Sequence, residues 1–173
     1  MPEAQPLIDD ASADDLTAAT GTKWRLVTDQ VMGGVSEARV RRTTVAGRPA
    51  VHLTGDVSLE NNGGFVQTTL DLRPDGGAVD ASGWRGIALT LQGNGEVYNL
   101  HLRTSDVRRP WQSYRQSFET TQDWRTVRLP FDGFQAHRID APLDLTRLKR
   151  IGLVAIGRAF RADLAVAELR FYA

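Results

Sequence analysis

Apolar and polar residues alternate along most of the chain in short runs, and turn-forming residues separate these runs. In "RGIALTLQG" (85–93), Ile87, Leu89 and Leu91 lie two residues apart, so an extended backbone places their side chains on one face. The runs end at segments such as "PDGG" and "GNGE", which are typical of turns. This alternation predicts ten β-strands, at residues 23–28, 37–45, 50–59, 64–72, 85–92, 96–104, 112–119, 124–129, 149–156 and 164–172.

The order of these elements predicts an all-β domain, a jelly-roll β-sandwich of about ten antiparallel strands. The 173 residues suit one domain, and no long amphipathic pattern interrupts the strands. The segment 161–172 is ambiguous because Ala, Leu and Glu favour a helix, but its Arg-Phe-Tyr ending favours a strand. At the N-terminus we expect a short helical turn within residues 10–20 and a loose tail at residues 1–6.

Charge and composition narrow the classes of partner. The chain has 21 basic and 21 acidic residues, so its zero net charge predicts no nucleic-acid or acidic-membrane partner. It contains no Cys, which excludes disulfides, thiolate chemistry and Cys-ligated metal sites. The acidic N-terminal sequence does not resemble a signal or transit peptide, and no apolar stretch approaches the length of a membrane span. We therefore expect a cytoplasmic protein without a membrane span.

The sequence contains no recognisable catalytic or metal-binding motif. The three His residues form no H-E-x-x-H motif, and there is no G-x-S-x-G nucleophile motif. The "GNGE" segment (93–96) leads into a predicted strand rather than a helix, so we interpret it as a hairpin turn and not as a dinucleotide site. We expect no catalytic residue, no metal ion and no cofactor. A pair of carboxylates brought together by the fold is the alternative that would make the protein an enzyme.

Two glycine-rich segments lie between strands, "DQVMGGVS" at 29–36 and "ENNGGF" at 60–65. Gly and Asn tolerate the left-handed backbone region, and Asp and Ser side chains bind nearby backbone amides. We interpret both segments as structural corners that pack together, and ligand-facing loops are the alternative. The residues concerned are Asp29, Gly33, Gly34, Ser36, Asn61, Asn62, Gly63, Gly64 and Phe65.

A polar face is predicted on the strand pair 96–104 and 112–119. A symmetric antiparallel register places polar residues opposite each other: His101 with Arg115, Arg103 with Ser113, and Asn99 with Ser117. This face is either a ligand groove, in which Arg and His donate hydrogen bonds and an aromatic ring stacks, or a solvated outer face. The candidate ligand or partner site comprises Asn99, His101, Arg103, Trp111, Ser113 and Arg115, with Gln67 as a further member.

Three motifs occur in order along the chain: D-x-V-M-G-G-x-S at 29–36, E-N-N-G-G-F at 60–65 and W-x-x-V-x-L-P-F-x-x-F at 124–134. Together they resemble the complex I intermediate-associated protein 30 (CIA30) family, over roughly residues 7–172. The resemblance implies a galactose-binding-like jelly roll, similar to some carbohydrate-binding modules. The chain lacks the transit peptide of the mitochondrial members and the dinucleotide-binding domain fused to other relatives, so it resembles a stand-alone bacterial member.

The resemblance implies a non-catalytic binding module, because the mitochondrial members are assembly factors of respiratory complex I. The implied partners of such a chaperone-like module are complex I subunits or assembly intermediates. The first alternative is a module that binds a carbohydrate or small polar ligand on the polar face. It predicts that His101→Ala or Arg103→Ala abolishes binding without lowering the melting temperature. The second alternative is a cryptic enzyme.

Overall fold

The alternating runs form β-strands in the computed structural model, which describes residues 2–173. These residues contain twelve strands: β1 (Leu7–Asp9), β2 (Arg25–Thr28), β3 (Glu37–Val45), β4 (Arg48–Val57), β5 (Phe65–Asp71), β6 (Gly86–Gly93), β7 (Val97–Thr104), β8 (Ser113–Glu119), β9 (Arg125–Pro130), β10 (Gln135–His137), β11 (Leu148–Ile156) and β12 (Phe160–Tyr172). All ten predicted strands are among them. The additional strands β1 and β10 have three residues each, too few for an alternating pattern to stand out.

The strands pair into two antiparallel sheets. The first sheet has the order β3-β4-β12-β6-β9, and β1 also pairs with β12. The second sheet has the order β10-β8-β7-β11-β5-β2. Apolar side chains from both sheets share one large core, so the predicted jelly-roll β-sandwich is confirmed.

The described residues contain short 3₁₀ helices at Asp29–Met32, Glu60–Asn62, Phe131–Gly133 and Leu145–Arg147. Among residues 2–173, no helix has the length and apolar character that crossing a membrane requires.

The segment of mixed propensity forms the long strand β12 rather than a helix. It pairs with β4 and β1 along one edge and with β6 along the other, which satisfies its backbone polar groups on both sides. A register shift between Val166 and Glu168 moves the alternation by one residue. Leu164 and Val166 before the shift, and Leu169 after it, are therefore all buried. Tertiary pairing here overrides the helix propensity of Ala and Leu.

The predicted register between β7 and β8 is confirmed in the central rows. Asn99 pairs with Ser117, and His101 pairs with Arg115. The alternate residues of β7 face the core and are fully buried: Tyr98, Leu100 and Leu102. The polar side chains between them therefore project from the outer face of the second sheet.

Residues 10–20 form bends and turns without a helix, so the predicted helical turn is wrong. Asp10 accepts a hydrogen bond from the backbone N–H of Ser12 (3.1 Å), and Asp15 accepts one from that of Thr17 (2.9 Å). These local side-chain bonds compete with the backbone bonds of a helix.

Residues 2–6 are docked on the domain, which corrects the expectation of a loose tail for this part. The backbone N–H of Ala4 donates to the carbonyl of Asp80 (2.8 Å), and that of Asp80 donates to the carbonyl of Pro2 (2.8 Å). Trp84 Nε1 donates to the carbonyl of Ala4 (3.0 Å), and Ala4 itself is buried. Met1 lies outside the described residues.

The turn between β3 and β4 has two residues in the left-handed region of the backbone. Its two residues, Ala46 and Gly47, have φ of 46° and 82°, the sign pattern of a type I′ turn. Alanine is strained in this left-handed region, whereas asparagine tolerates it. Ala46→Asn is therefore expected to raise the free energy of unfolding by about 0.5–1 kcal/mol in urea unfolding experiments. Ala46→Val is expected to lower it, and the opposite order of the two variants would contradict this turn geometry.

Candidate functional site

The two glycine-rich segments form one corner, and the buried carboxylate of Asp29 joins them. Asp29 accepts hydrogen bonds from Ser36 N (3.0 Å) and Ser36 Oγ (2.5 Å) within the first segment. It also accepts bonds from Gly64 N (2.6 Å) and Phe65 N (3.3 Å) in the second. Neither Asp29 nor Ser36 has any exposed surface. The corner is thus built around a single acceptor that serves four donors.

The glycines and asparagines of the corner meet two steric requirements. A Cβ at Gly34 or at Gly63 would overlap the carboxyl group of Asp29, so these positions let the two segments approach it closely. Positive φ values occur at the remaining positions: Gly33 (88°), Asn61 (56°), Asn62 (59°) and Gly64 (132°). The corner stands at the end of the second sheet where β2 ends and β5 begins.

A cleft of about 770 Å³ crosses the outer face of the second sheet. The strands β8, β7, β11, β5 and β2 contribute to its floor, and the corner closes one end. The loop 105–112 lies at the opposite end, because β5 and β7 run in the same direction and this loop follows β7. Gly152, in the middle of β11, leaves the centre of the floor without a side chain.

The cleft brings together most of the candidate residues from the sequence. The ones that line it are Gln67, His101, Arg103, Trp111, Ser113 and Arg115. Asn99 lies instead in a smaller neighbouring depression, so the structure does not place it with the others. Asn99 lies two residues before His101, nearer the start of β7. Arg115 borders both the cleft and this smaller depression.

The cleft carries a strong local positive charge on a chain of zero net charge. Five arginines line it: Arg103, Arg108, Arg115, Arg138 and Arg150. Among the described residues, no Asp or Glu contributes to the lining. Arginine is charged at any physiological pH, so the half of the cleft between its central row and the loop 105–112 presents hydrogen-bond donors and positive charge.

Arg103 holds the loop 105–112 rather than pointing freely into the cleft. Its guanidinium donates to the carbonyls of Pro110 (3.4 Å), Gln112 (3.3 Å) and Arg109 (3.5 Å). Arg103→Ala would remove these three bonds. This environment therefore argues against the expectation that Arg103→Ala leaves the melting temperature unchanged. Arg115 is the more available cation, since its one hydrogen bond to a side chain goes from Nε to Ser113 Oγ (2.8 Å).

His101 lies on the floor as a neutral imidazole. Burial, followed by the nearby Arg115, His137 and Arg103, lowers the pKa of His101 to about 3. Its Nε2 is buried and has no hydrogen-bond partner within residues 2–173. A buried polar atom of this kind usually has a partner, so this Nε2 is an unsatisfied polar group beneath the floor of the cleft.

Apolar side chains stand at both ends of the cleft. At the loop end, Trp111 is 55% exposed. At the corner, Val31 and Met32 are 73% and 57% exposed, and Leu59 is 51% exposed. Exposed large apolar side chains gathered around a concavity are typical of binding surfaces.

Several lining residues were not among the candidates from the sequence. Gln112 orders the loop, because its Oε1 accepts from the backbone N–H groups of Arg108 and Arg109 and its Nε2 donates to the carbonyl of Arg138 (each 3.1 Å). His137 and Arg138 reach the cleft from the end of β10, and Arg150 from β11. Their proximity depends on strand order between distant segments, for which the sequence carries no local signal.

A family model described as "Complex I intermediate-associated protein 30 (CIA30)" matches residues 14–166. The chain belongs to the CIA30 family. The cleft and its corner lie within the matched range, so they are features of the CIA30 domain of this chain. No curated protein matches this CIA30 sequence.

Solved structures similar to this CIA30 chain include carbohydrate-binding modules from Clostridium thermocellum. The family 11 module, in complex with a β-1,3-1,4-mixed-linked tetrasaccharide, is 14% identical with a TM-score of 0.72, and the match covers 100% of this chain and 98% of that one. The family 30 module of a cellulosomal cellulase is 15% identical with a TM-score of 0.59, covering 99% and 94%. At these identities the likeness concerns the fold alone.

Proposed function

We propose that this CIA30 protein is a non-catalytic binding module that holds a partner protein in the cleft, in the manner of an assembly factor for respiratory complex I. The observation that carries the proposal is the cleft itself, with five arginines between its centre and the loop 105–112 and apolar side chains at both ends. The family match supports the assembly-factor class. Mixed apolar and arginine-rich surfaces are typical of protein interfaces.

The chemistry of the cleft favours binding over catalysis. Glycoside hydrolysis needs two carboxyl groups across the scissile bond, and within residues 2–173 none lines the cleft. His101 is the most buried imidazole there, but with a pKa of about 3 it is a weak proton acceptor at neutral pH. The arginines remain protonated and act as donors only.

Co-purification tests the proposed function. The tagged protein is recovered from its own cells in mild detergent, with a Gly152→Phe variant that fills the cleft beside the wild type. Complex I subunits or assembly intermediates are expected to be enriched by the wild type and at least about tenfold less by the variant, as measured by mass spectrometry. Recovery of no protein partner by the wild type, together with clear glycan binding, would overturn the proposal.

Carbohydrate binding is the second candidate function, and the exposed ring of Trp111 at the mouth of the cleft favours it. An exposed indole offers the apolar face on which sugar rings stack. The mixed-linked tetrasaccharide bound by the family 11 module is the natural probe. Titration calorimetry that detects its binding to the wild type, and loss of binding in Trp111→Ala, would favour this candidate over a protein partner.

A further inference from the structure

Four of the five cleft arginines have no counter-charge within the cleft. Arg150 is paired with Asp71, with 2.6 Å between Nε and Oδ1. The other four cleft arginines have no carboxylate within 4 Å among residues 2–173: Arg103, Arg108, Arg115 and Arg138. Elsewhere among residues 2–173, Arg161 pairs with an acid, whereas the exposed Arg39 and Arg41 do not. The cleft differs from an ordinary solvated face because it gathers four unpaired arginines around one concavity, where Arg103 and Arg115 are half-buried.

Arg103 and Arg115 are partly buried and lie near other arginines, which disfavours their positive charge. Burial lowers the pKa of Arg103, and the neighbouring Arg150 lowers it further. Burial likewise lowers the pKa of Arg115, and Arg138 adds to this effect. Like charges that are partly removed from water are stabilised when an anion joins them.

Arg138, which lines the cleft, has a strained backbone conformation. Its φ is 57°, a region that L-residues other than Gly, Asn and Asp rarely adopt. The carbonyl of Arg138 accepts from Gln112 Nε2, which ties this position to the loop that carries Trp111. Strained residues persist where the surrounding structure fixes them, and they cluster at binding sites.

A neutral saccharide complements the arginines of this cleft poorly. Sugar hydroxyl groups need acceptors as well as donors, whereas guanidinium groups only donate. A neutral ligand would also cover Arg115 and Arg138 without supplying the missing negative charge. Carboxylates accept two parallel bonds from a guanidinium, so an anionic ligand suits the floor of the cleft better.

A peptide can complement both the apolar ends of the cleft and the arginines on its floor. The path from the corner to the loop end follows the seven residues of β5, Phe65–Asp71, and spans about 20 Å, the length of roughly six extended residues. Trp111 lies at one end of this path, and Val31 and Met32 at the other. A polypeptide can place carboxylates at the centre and apolar side chains at both ends, which an acidic sugar chain cannot.

We propose that the cleft binds an extended acidic segment of the partner protein, with carboxylates on Arg115 and Arg138 and apolar side chains at Trp111 and at the corner. This inference rests on the proposed function and names the part of the partner that the cleft recognises. It predicts affinity that falls as the salt concentration rises, because salt screens the attraction between the carboxylates and the partly exposed Arg115 and Arg138.

The probe is a fluorescein-labelled peptide of about eight residues, with glutamates in the centre and leucines at both ends, measured by anisotropy. The same peptide with Gln for Glu is expected to bind at least about tenfold more weakly. Arg115→Gln/Arg138→Gln is expected to lose a similar factor. The matched control Arg39→Gln/Arg41→Gln, which removes two exposed charges from β3 in the other sheet, is expected to stay within about twofold of the wild type.

Arg138→Gly serves as a second variant with an intact fold, since glycine adopts a φ of 57° without steric cost. It is expected to weaken binding of the Glu peptide and to keep the melting temperature. Equal binding of the Glu and Gln peptides, no binding of either, or tenfold tighter binding of an oligogalacturonate would overturn the inference. If Arg115→Gln/Arg138→Gln still recovers the partner from cells, the inference fails while the proposed function stands.

Discussion

Asp29→Ala is expected to lower the free energy of unfolding by about 4 kcal/mol, because it leaves buried donors without an acceptor. The carboxylate of Asp29 is fully buried and accepts bonds from Ser36 N, Ser36 Oγ and Gly64 N at 3.0, 2.5 and 2.6 Å. Each unsatisfied donor costs about 1–3 kcal/mol. For a domain of this size the melting temperature is expected to fall by about 8–16 °C in calorimetry.

Asp123→Asn is the matched control, since Asp123 is exposed and the change removes one aspartate charge from the surface. It is expected to change the free energy of unfolding by less than about 0.5 kcal/mol. A loss in Asp29→Ala no larger than in this control would contradict the role of Asp29 as the acceptor that joins the two glycine-rich segments.

The pH dependence of Asp29→Asn gives an independent check of the same contacts. Burial by itself raises the pKa of Asp29, but the hydrogen bonds from Ser36, Gly64 and Phe65 outweigh it and lower the pKa below 3.8. A carboxyl whose folded pKa lies below its unfolded value stabilises the fold above the unfolded pKa, and this contribution is lost as the pH falls through the folded value. The stability difference between wild type and Asp29→Asn is therefore expected to be greatest near neutral pH and to shrink below about pH 4.

Gly152→Phe is expected to lower the affinity for the partner at least about 100-fold while the domain stays folded. Gly152 lies at the centre of the cleft floor, where it pairs with Thr69 on β5 and His101 on β7. A Cβ at this position meets the Oε1 atom of Gln67 at 3.0 Å, the end of a flexible side chain that can move aside. The phenyl ring would then occupy the space of the proposed partner, and a blocked interface centre typically removes most of the binding energy.

Gly152→Ala is the control for this experiment. Its methyl group leaves most of the cleft open, so the affinity is expected to stay within about twofold, and the free energy of unfolding is expected to rise by up to about 0.5–1 kcal/mol, as it commonly does when Gly in a strand is replaced. Urea unfolding of both variants and recovery of the partner by each are the measurements. Full binding by Gly152→Phe would place the interface away from the cleft.

The fold followed from local patterns, whereas the cleft depended on contacts between distant segments. The alternation in β7 and β8 was sufficient to predict their pairing, including His101 opposite Arg115. The residues that complete the cleft come from β10 and β11, and nothing near Arg138 or Arg150 in the sequence indicates that they meet Arg103 and Arg115. The local charge was hidden for the same reason, since the whole chain has equal numbers of acidic and basic residues.

For the two glycine-rich segments, the sequence likewise predicted the local backbone but not the hydrogen bonds between the segments. The residue types in each segment indicate tight backbone, and the positive φ of Asn61 and Asn62 agrees with what their amides tolerate. The role of Asp29 as acceptor for Gly64, 35 residues away, depends on the pairing of β2 with β5. The apolar surface at Val31, Met32 and Leu59 arises only when this corner is assembled.

The cleft is proposed to hold a partner during the assembly of a respiratory complex. The most direct test of this proposal is the amount of assembled complex I on native gels of cells that lack this gene and carry wild type, Gly152→Phe or Gly152→Ala. We predict a deficit of the assembled complex that wild type and Gly152→Ala restore and Gly152→Phe does not. Unchanged complex I in cells without the gene, or full restoration by Gly152→Phe, would contradict the account.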